Sequence, residues 1–365
     1  MQYAVDRITV KGFRSIRSLE NFSLRPLNVL IGGNGAGKSN FVSLFALLRS
    51  IVKQEMNLAI EKGGGADVQL FLGPRVTKEI AVALVFGKNT YEFTLQPTPR
   101  NTLVFGSEQV SFDGDLGSGR DDLGRGHTES KLKDFKDSPK RIAFHVHQAM
   151  TRWTVYHFHD TSETSGVRRQ WTTRDRDELL RDASNLAAFL LFLQDLLPDD
   201  YSVIRDTVRL VAPFFEDFKL RPEVKGADTL VQLEWTQRGS DYPFHPSQLS
   251  DGTLRFICLA TALLQPNPPA TMLFDEPELG LHPFALSVLA DLIKQAASRS
   301  QIIVSTQSAP LLDHFEADVV VVVDREEGAS TFRRLGSDEL SEWLENYTLG
   351  ELWQKNVFQG GPVHE

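Results

Sequence analysis

The chain has 365 residues and a single cysteine, Cys258, so it cannot form an internal disulfide. Disulfide scaffolds and cysteine-rich metal clusters are therefore excluded. Cys258 lies in an apolar run with helical periodicity, which favours a small core residue over a nucleophile. A lone cysteine suits a reducing compartment, and we expect a cytoplasmic location.

Long apolar runs and a basic surplus are also lacking. No run approaches the ~20 residues that a membrane-spanning helix needs, and residues 1–10 lack the apolar segment of a signal peptide. We therefore expect no membrane segment. The formal net charge is −9, whereas proteins that coat nucleic acid usually carry a basic surplus. Any contact with DNA would have to come from a local patch.

A glycine-rich motif, GGNGAGKS, stands at residues 32–39. It fits the phosphate-binding loop G-x-x-x-x-G-K-[ST] at every required position. The apolar run 27–31 predicts a buried strand before it, and apolar residues at helical spacing predict a helix over 40–60. A strand, a glycine turn and a helix start would place backbone N–H groups around a polyphosphate.

Residue types in this motif predict individual roles. Lys38 would reach the β- and γ-phosphates of ATP, and the Ser39 hydroxyl would be a ligand of Mg²⁺. Glycine is needed where the chain adopts unusual backbone angles and phosphate oxygens approach closely. The predicted nucleotide-binding residues of the loop are Gly32, Gly33, Asn34, Gly35, Ala36, Gly37, Lys38, Ser39 and Asn40.

A second motif, TMLFDEP, ends an apolar strand in two carboxylates, Asp275 and Glu276. In P-loop ATPases the first acid at such a strand end holds Mg²⁺, mostly through water, and a following glutamate can polarise the attacking water. Two adjacent acids at the end of a buried strand are costly without a cation. We therefore predict Asp275 as a metal ligand beside Ser39, and Glu276 as a catalytic residue together with Lys38.

The segments around these motifs alternate between strands and helices, without internal repeats. Two alternating segments joined by Gly87-Lys88-Asn89 predict a hairpin over 80–95, and the Gly-, Asp- and Ser-rich stretch 113–126 predicts a loop. Helices are predicted over 177–197 and 201–215. Apolar strands followed by helices at both ends indicate an α/β nucleotide-binding domain, interrupted by an inserted α-rich subdomain.

A third motif, LSDGT at 249–253, precedes a predicted helix. By itself it is an ordinary helix cap, because Ser and Asp are favoured there. In sequence with the two motifs above, it resembles the signature L-S-G-G-x of ABC-type ATPases. The resemblance implies that Ser250 and Gly252 contact the γ-phosphate held by a second copy. The active unit would then be a homodimer with two ATP molecules sandwiched at its interface.

Two further stretches extend the resemblance. ELGLHP at 278–283 stands where ABC-type ATPases carry their D-loop, and IIVSTQS at 302–308 is a strand whose end would face the γ-phosphate. Together the motifs resemble the soluble ABC-type P-loop ATPases that include RecF, Rad50, SMC proteins and OLD-type nucleases. The sequence pattern E-P-E-x-G-L-H-P most resembles that of AAA-type ATPases of the OLD/RecF-like group. The implied fold is an α/β ATPase head with a mixed sheet.

One residue departs from the family pattern. The family usually has histidine after Ser-Thr, where this chain has Gln307. Glutamine can donate a hydrogen bond to the γ-phosphate but cannot become a cation. Gln307 is thus a third predicted catalytic residue, and we expect slower or gated hydrolysis. Gln69 is the candidate for the Q-loop glutamine by position, with a surface polar residue as the alternative.

The resemblance divides the chain into four segments. Residues 1–97 would form the N-terminal part of the ATPase domain, and 98–218 the inserted, partly helical subdomain. Residues 219–335 would carry the signature, the acid pair and the switch strand, and 336–365 a helical tail. Aromatic side chains in this tail are expected to dock on their own domain, with docking on a partner chain as the alternative.

Weaker patterns remain. The pairs His145/His147 and His157/His159 would each share a face in an extended chain and could bind a metal, but packing roles are favoured. Basic residues could contact a polyanion near Trp171, although a solvated arm is favoured. These are Arg168, Arg169, Arg174 and Arg176, and a second basic group is Lys131, Lys133, Lys136, Lys140 and Arg141.

Three functions fit these motifs. In the first, ATP joins two copies of a soluble switch that acts on DNA or on a separate effector chain, such as a nuclease or toxin, in anti-phage defence. In the second, a RecF-like ATPase for DNA repair or recombination binds DNA directly through the inserted subdomain. The third, a nucleotide-binding subunit of a membrane transporter, is less favoured because the signature diverges and Gln307 replaces histidine.

Overall fold

The computed structural model describes residues 3–115, 117–336 and 340–358. The strands are β1 (Arg7–Phe13), β2 (Ile16–Ser23), β3 (Leu27–Ile31), β4 (Ile80–Phe86), β5 (Asn89–Pro97), β6 (Leu103–Gly114), β7 (Gly117–Gly124), β8 (Trp153–Tyr156), β9 (Trp171–Thr172), β10 (Phe215–Lys219), β11 (Glu223–Lys225), β12 (Asp228–Val231), β13 (Glu234–Gln237), β14 (Thr271–Asp275), β15 (Gln301–Thr306), β16 (Val320–Glu326) and β17 (Ala329–Arg334). The α-helices are α1 (Lys38–Lys53), α2 (Met56–Lys62), α3 (Ile142–Thr151), α4 (Leu186–Leu196), α5 (Pro198–Val211), α6 (Asp251–Leu264), α7 (Pro283–Ala296), α8 (Ala309–Leu312), α9 (Ser341–Leu344) and α10 (Leu349–Gln354).

The chain divides into two compact units. The first unit comprises Met1–Val155, Pro269–Asp275 and Arg299–Glu365, and the second comprises Tyr156–Pro268 and Glu276–Ser298. Compactness thus groups the residues differently from the four segments expected from the motifs. The division into 1–97, 98–218, 219–335 and 336–365 stays a prediction about how the functional parts are arranged along the chain.

One sheet of the first unit is antiparallel, in the order β2-β1-β4-β5-β6-β7. The predicted hairpin is confirmed, because β4 and β5 pair from Ile80↔Leu95 to Phe86↔Asn89. The predicted loop over 113–126 is wrong, since β7 pairs antiparallel with the end of β6. Turn-forming composition is overridden here by a long partner strand, and Leu123 buries its side chain.

A second sheet carries the ATPase motifs, in the order β17-β16-β3-β15-β14-β8. β14, β15, β3 and β16 are parallel neighbours, whereas β17 runs antiparallel to β16, so the sheet is mixed as expected. β3 is buried at every position, which explains its continuous apolar run. Parallel register brings the carboxyl ends of β3, β15 and β14 to one edge of the sheet.

Helix α1 covers this sheet with its apolar face. The ring centroids of Phe41 and Phe45 lie 5.5 Å apart, and those of Phe45 and Trp153 also lie 5.5 Å apart, all within the main core. The single helix predicted over 40–60 is wrong, because Gln54 takes a left-handed φ of 61° and ends α1. The Glu129 carboxylate then accepts hydrogen bonds from the first N–H groups of α2, at 2.9 and 3.0 Å. This carboxylate stabilises a new helix start.

The second unit contains α4, α5, α6 and α7, with α6 packed against both α5 and α7. The helix predicted over 177–197 begins only at Leu186. Asn185 is buried and donates to the backbone carbonyls of Asp175 and Glu178 at 2.9 and 2.8 Å. This amide satisfies carbonyls outside a helix and thereby stabilises an irregular segment. The second predicted helix ends at Val211, and Phe215 already begins β10.

The histidine pairs do not lie in the extended chain that a shared face would require. His145 and His147 lie on α3 rather than on a strand, so residues two apart point away from each other. Burial, followed by the charges of Lys133 and Lys136, lowers the pKa of His147. His157 and His159 follow β8 in irregular backbone. Within the described ranges there is no group of three or more side chains placed to hold a metal ion.

The prediction that aromatic side chains of the tail dock on their own domain is confirmed for Trp353, whereas Trp343 and Tyr347 are exposed. Leu352 and Trp353 of α10 are buried, and the Gly350 N–H donates to the Asp313 carboxylate at 2.6 Å. Residues 337–339 and 359–365 of the expected tail lie outside the described residues. Across the part of the chain that is described, the helices are all too short or too polar for a bilayer crossing.

Candidate functional site

The glycine-rich motif forms a tight loop between the end of β3 and the start of α1. Gly35 and Gly37 have φ angles of 78° and 115°, a region that favours glycine. A Cβ at Gly37 would lie 1.9 Å from Ser330 Oγ, and one at Gly32 would lie 2.2 Å from the Val323 carbonyl oxygen. Glycine is therefore required both for backbone conformation and for close packing.

The loop opens onto the N-terminus of α1. Gly37 is the N-cap, no side chain caps the helix, and its first turn contains no acid. These N–H groups and the helix dipole favour an anion. The side chain of Lys38 is buried, and its Nζ donates to the carbonyls of Gly32 and Gly33 at 2.7 and 3.1 Å. Its ammonium group thus lies within the loop, while Ser39 is exposed at the helix start.

Two serines that were not predicted from the sequence form hydrogen bonds that anchor the loop. Ser330 Oγ donates to the carbonyl of Ala36 at 2.5 Å and is hydrogen-bonded to Ser15 Oγ at 2.7 Å. Ser15 Oγ also accepts from the Asn40 amide at 2.7 Å. No local pattern marks Ser330 because it belongs to β17, far from the motif in the chain. These contacts fix the loop before any ligand is bound.

The first acid of the pair ends β14 at the same edge of the sheet. Asp275 is paired in register with Ser305 of β15. Asp275 Oδ1 and Ser305 Oγ are buried and have no hydrogen-bond partner among the described residues. Buried polar atoms are normally satisfied, so these two fit a bound cation or its water ligands. The donor set of Asp275 and Ser39 consists of oxygen atoms, which Mg²⁺ prefers.

Glu276 follows Asp275 in a strained conformation, with a φ of 43°. Left-handed backbone in a non-glycine residue costs of order 1–3 kcal/mol and is concentrated at functional sites. Gln307 directly follows β15 and is half-buried, and Ser308 after it caps α8. The catalytic roles of Glu276 and Gln307 stay predictions.

A cavity of about 470 Å³ opens beside the loop within the first unit. Its lining combines the cations Arg14 and Arg325, the polar Ser15, and the apolar Phe71 and Leu72. Arg325 donates to the carbonyl of Gly35 in the loop itself, at 3.4 Å. Burial lowers the pKa of Arg14. Neither arginine was singled out from the sequence, because β1–β2 and β16 are distant from the motif in the chain.

Gln69 is not a surface residue. Its side chain is buried and accepts a hydrogen bond from Arg14 Nε at 2.9 Å, so the alternative of an exposed polar residue is wrong. Its assignment as the Q-loop glutamine stays a prediction.

The signature segment lies in the second unit, where Ser250 is the N-cap of α6. Its Oγ accepts from the Thr253 N–H at 3.1 Å, and the residue is exposed. A Cβ at Gly252 would lie 2.3 Å from the Gly280 carbonyl oxygen, so the start of α6 packs tightly against the segment after the acid pair. Arg255 strengthens this contact by donating to the Leu279 carbonyl.

The basic residues near Trp171 differ in exposure and in their partners. Arg168 is only 6% exposed and is paired with Asp251 at 2.8 Å, so it is not available to DNA. Arg174 and Arg176 pair with Asp228 and Asp195, at 3.3 and 3.4 Å. Arg169 is exposed.

Comparison with known proteins decides the family. The AAA_21 family, described as "AAA domain, putative AbiEii toxin, Type IV TA system", matches residues 27–313, well over half of the chain. The chain belongs to this family. The family model matches the chain from the start of β3 to the residue after α8, and this range includes all the predicted site residues.

Two solved SMC head domains share the fold of this AAA_21 chain. One is bound to the C-winged helix domain of ScpA, with a TM-score of 0.61, 15% identity, and coverage of 93% of this chain and 99% of that one. The other, from Pyrococcus furiosus, has an extended coiled coil and is bound to the C-terminal domain of ScpA. Its TM-score is 0.57 at 16% identity, over 93% and 98% of the two chains. The expected α/β fold of an ABC-type P-loop ATPase head is thereby confirmed.

One segment of the AAA_21 chain is similar to a curated protein. Structural maintenance of chromosomes protein 3 of Saccharomyces cerevisiae is 30% identical over 129 residues. The match covers 32% of this chain and 9% of that protein. Family and fold together show an AAA_21 chain with the fold of an ABC-type P-loop ATPase head.

Proposed function

We propose that this protein binds ATP with Mg²⁺, that two copies close on two ATP molecules, and that hydrolysis opens the pair again. The observation that carries the proposal is the pre-formed phosphate loop at the same sheet edge as Asp275, whose Oδ1 has no hydrogen-bond partner among the described residues. Supporting it, Ser250 is exposed and caps the N-terminus of α6.

Nucleotide binding would use the first unit. The N–H groups of the loop 32–37 and the α1 N-terminus would hold the phosphates, with Lys38 leaving its carbonyl acceptors for phosphate oxygens. The cavity lined by Arg14 and Phe71 has both a cation and apolar surface for the nucleoside. Ser39 and Asp275 would hold Mg²⁺, which when bound neutralises charge on the phosphate oxygens.

Hydrolysis would use Glu276 and Gln307. The Glu276 carboxylate would accept a hydrogen bond from the attacking water and orient it towards the γ-phosphorus. The Gln307 amide would donate to a γ-phosphate oxygen. Since glutamine brings no positive charge, it would stabilise the charge that develops on the phosphate less than a protonated histidine would. Turnover is therefore expected to be slow.

The second copy would complete each site. Ser250 Oγ, the Gly252 backbone and the N-terminus of α6 would contact the γ-phosphate held by the partner copy. The fold of SMC heads and the family description, which names a toxin of a toxin–antitoxin system, support an output through an effector. We propose a separate effector chain, a nuclease or toxin, in anti-phage defence within the cytoplasm.

DNA is the second candidate target, as in a RecF-like repair ATPase. The SMC relative and the exposed Arg169 favour it. In this case Arg169→Glu would weaken ATP-dependent DNA binding, whereas the paired Arg174 would contribute little. Unchanged DNA binding in Arg169→Glu would count against contact through this part of the chain.

A mixing experiment tests the sandwich. Ser250→Arg should block turnover while a single subunit still binds ATP, and Lys38→Ala should lose ATP binding. Mixed together, the two variants can form dimers with one intact site, built from the loop of one copy and the signature of the other. Activity should therefore return in part. A mixture that stays inactive despite forming mixed dimers would refute action between copies.

A further inference from the structure

A buried arginine of the second unit contacts the segment that leads into the signature helix. Arg168 ends a single 3-10 turn (Gly166–Arg168), and its side chain is 6% exposed. A guanidinium removed from water to this extent is costly unless its donors are satisfied, so its partners define what it does.

Those partners converge on the start of α6. The guanidinium donates to the carbonyl of Pro246 and to the carbonyl of Leu249, the latter at 3.3 and 3.4 Å. It also pairs with the Asp251 carboxylate at 2.8 Å. One planar fork thus contacts residues on both sides of Ser250, and its rigid geometry restricts where Ser250 can lie.

The same arginine is held from its other side by neighbouring parts of the unit. Its Nε donates to the carbonyl of Thr161 at 2.8 Å, and its own carbonyl accepts from Gln232 Nε2 at 2.9 Å. Gln232 directly follows β12, which belongs to a small three-stranded sheet, β11-β12-β9. Arg168 therefore links this sheet to the first turn of α6.

We propose that Arg168 is a positioning residue for the signature, which holds Ser250 and the α6 N-terminus in the arrangement that the γ-phosphate of the partner copy requires. This inference rests on the proposed ATP sandwich. Arg168 touches no nucleotide and acts through Ser250. Its loss should impair the signature function of its own subunit and leave the phosphate loop of that subunit intact.

The test compares Arg168→Ala with Arg174→Ala, a matched control, because Arg174 is an exposed arginine that pairs with a carboxylate in the same unit. Arg168→Ala should bind a fluorescent ATP analogue like the unaltered protein, yet lose turnover about tenfold or more, as misplaced groups near a reacting centre commonly do. Arg174→Ala should change neither. Arg168→Lys, which keeps the charge but lacks the fork, should recover part of the turnover.

Mixing variants separates positioning from a general structural defect. Arg168→Ala mixed with Lys38→Ala should regain activity, because the mixed dimer contains one intact loop opposite one intact signature. Arg168→Ala mixed with Ser250→Arg should stay inactive, because both copies lack a working signature. Recovery in the second mixture, or lost ATP binding by folded Arg168→Ala alone, would overturn the proposal.

A second variant covers the case in which Arg168→Ala does not fold. Asp251→Ala removes one exposed partner of Arg168, and it should reduce turnover and behave in the mixtures like Ser250→Arg. Normal turnover in both Asp251→Ala and Arg168→Lys would overturn the proposal.

If Ser250→Arg and Lys38→Ala fail to complement each other, the proposed ATP sandwich is refuted, and the role of Arg168 in it is refuted too. That outcome is distinct from a failure confined to the Arg168 mixtures.

Discussion

Single residues in the phosphate loop have separable roles because their surroundings differ. Gly35 and Gly37 both have left-handed backbone, but a Cβ at Gly35 would meet nothing within 4 Å, whereas one at Gly37 would meet Ser330 Oγ at 1.9 Å. Gly35→Ala should therefore lower the free energy of unfolding by only ~1–2 kcal/mol, the cost of a left-handed backbone in a residue with a Cβ. Gly37→Ala should lose clearly more free energy of unfolding in urea titrations. Equal losses would contradict the packing role of Ser330.

Cys258 illustrates a residue whose chemistry is suppressed by its surroundings. Burial raises the pKa of its thiol to about 12. Because the thiolate is the reactive form, the folded protein should react slowly with a disulfide reagent at pH 8 and quickly once unfolded in denaturant. Fast labelling of the folded protein would show that Cys258 is accessible.

At the residue scale, the phosphate loop and the acid pair could be predicted from the sequence because each is a contiguous motif. Ser15, Ser330 and Arg325 were missed because they contact the loop from outside the motif. Arg14, which lines the cavity beside the loop, was missed for the same reason. Arg168 was placed in a solvated arm, with polyanion contact as the alternative, because a charged residue in a polar segment gives no sign of being buried. Long-range contacts are the information that a local pattern lacks.

Elements were predicted well where periodicity and caps agreed. The helix predicted after LSDGT is confirmed as α6, which begins at Asp251 because Ser250 supplies its N-cap. β7 and the irregular 177–185 segment were missed for opposite reasons. A long partner strand imposed pairing on a glycine-rich stretch, and the Asn185 side chain replaced helical hydrogen bonds.

Helix α10 provides a prediction at this scale. A Cβ at Gly350 would lie 2.5 Å from the Ala309 carbonyl oxygen, so Gly350→Ala should displace α10 from α8. Limited proteolysis should then cleave the C-terminal tail faster, by several-fold, than in the unaltered protein. Glu342→Ala, an exposed change in the adjacent α9, is the control. Unchanged cleavage of Gly350→Ala would show that α10 tolerates the side chain.

For the whole molecule, the decisive prediction concerns association. Glu276→Gln keeps the loop and Asp275 but removes the carboxylate that would orient water, so it should bind ATP, hydrolyse it poorly and accumulate as a dimer. Light scattering after size exclusion, with and without ATP, measures this directly. Lys38→Ala should stay monomeric under both conditions. A Glu276→Gln protein that remains monomeric with ATP would contradict the sandwich.

The hold of Ser330 on the loop has a consequence for how the chain is synthesised. The glycine motif leaves the ribosome well before β17, which supplies the hydroxyl that anchors Ala36 and Ser15. A nascent chain that stops before β17 should thus possess the complete motif and still lack its final shape. Nucleotide capture would become possible only after β17 has been synthesised and has joined the sheet.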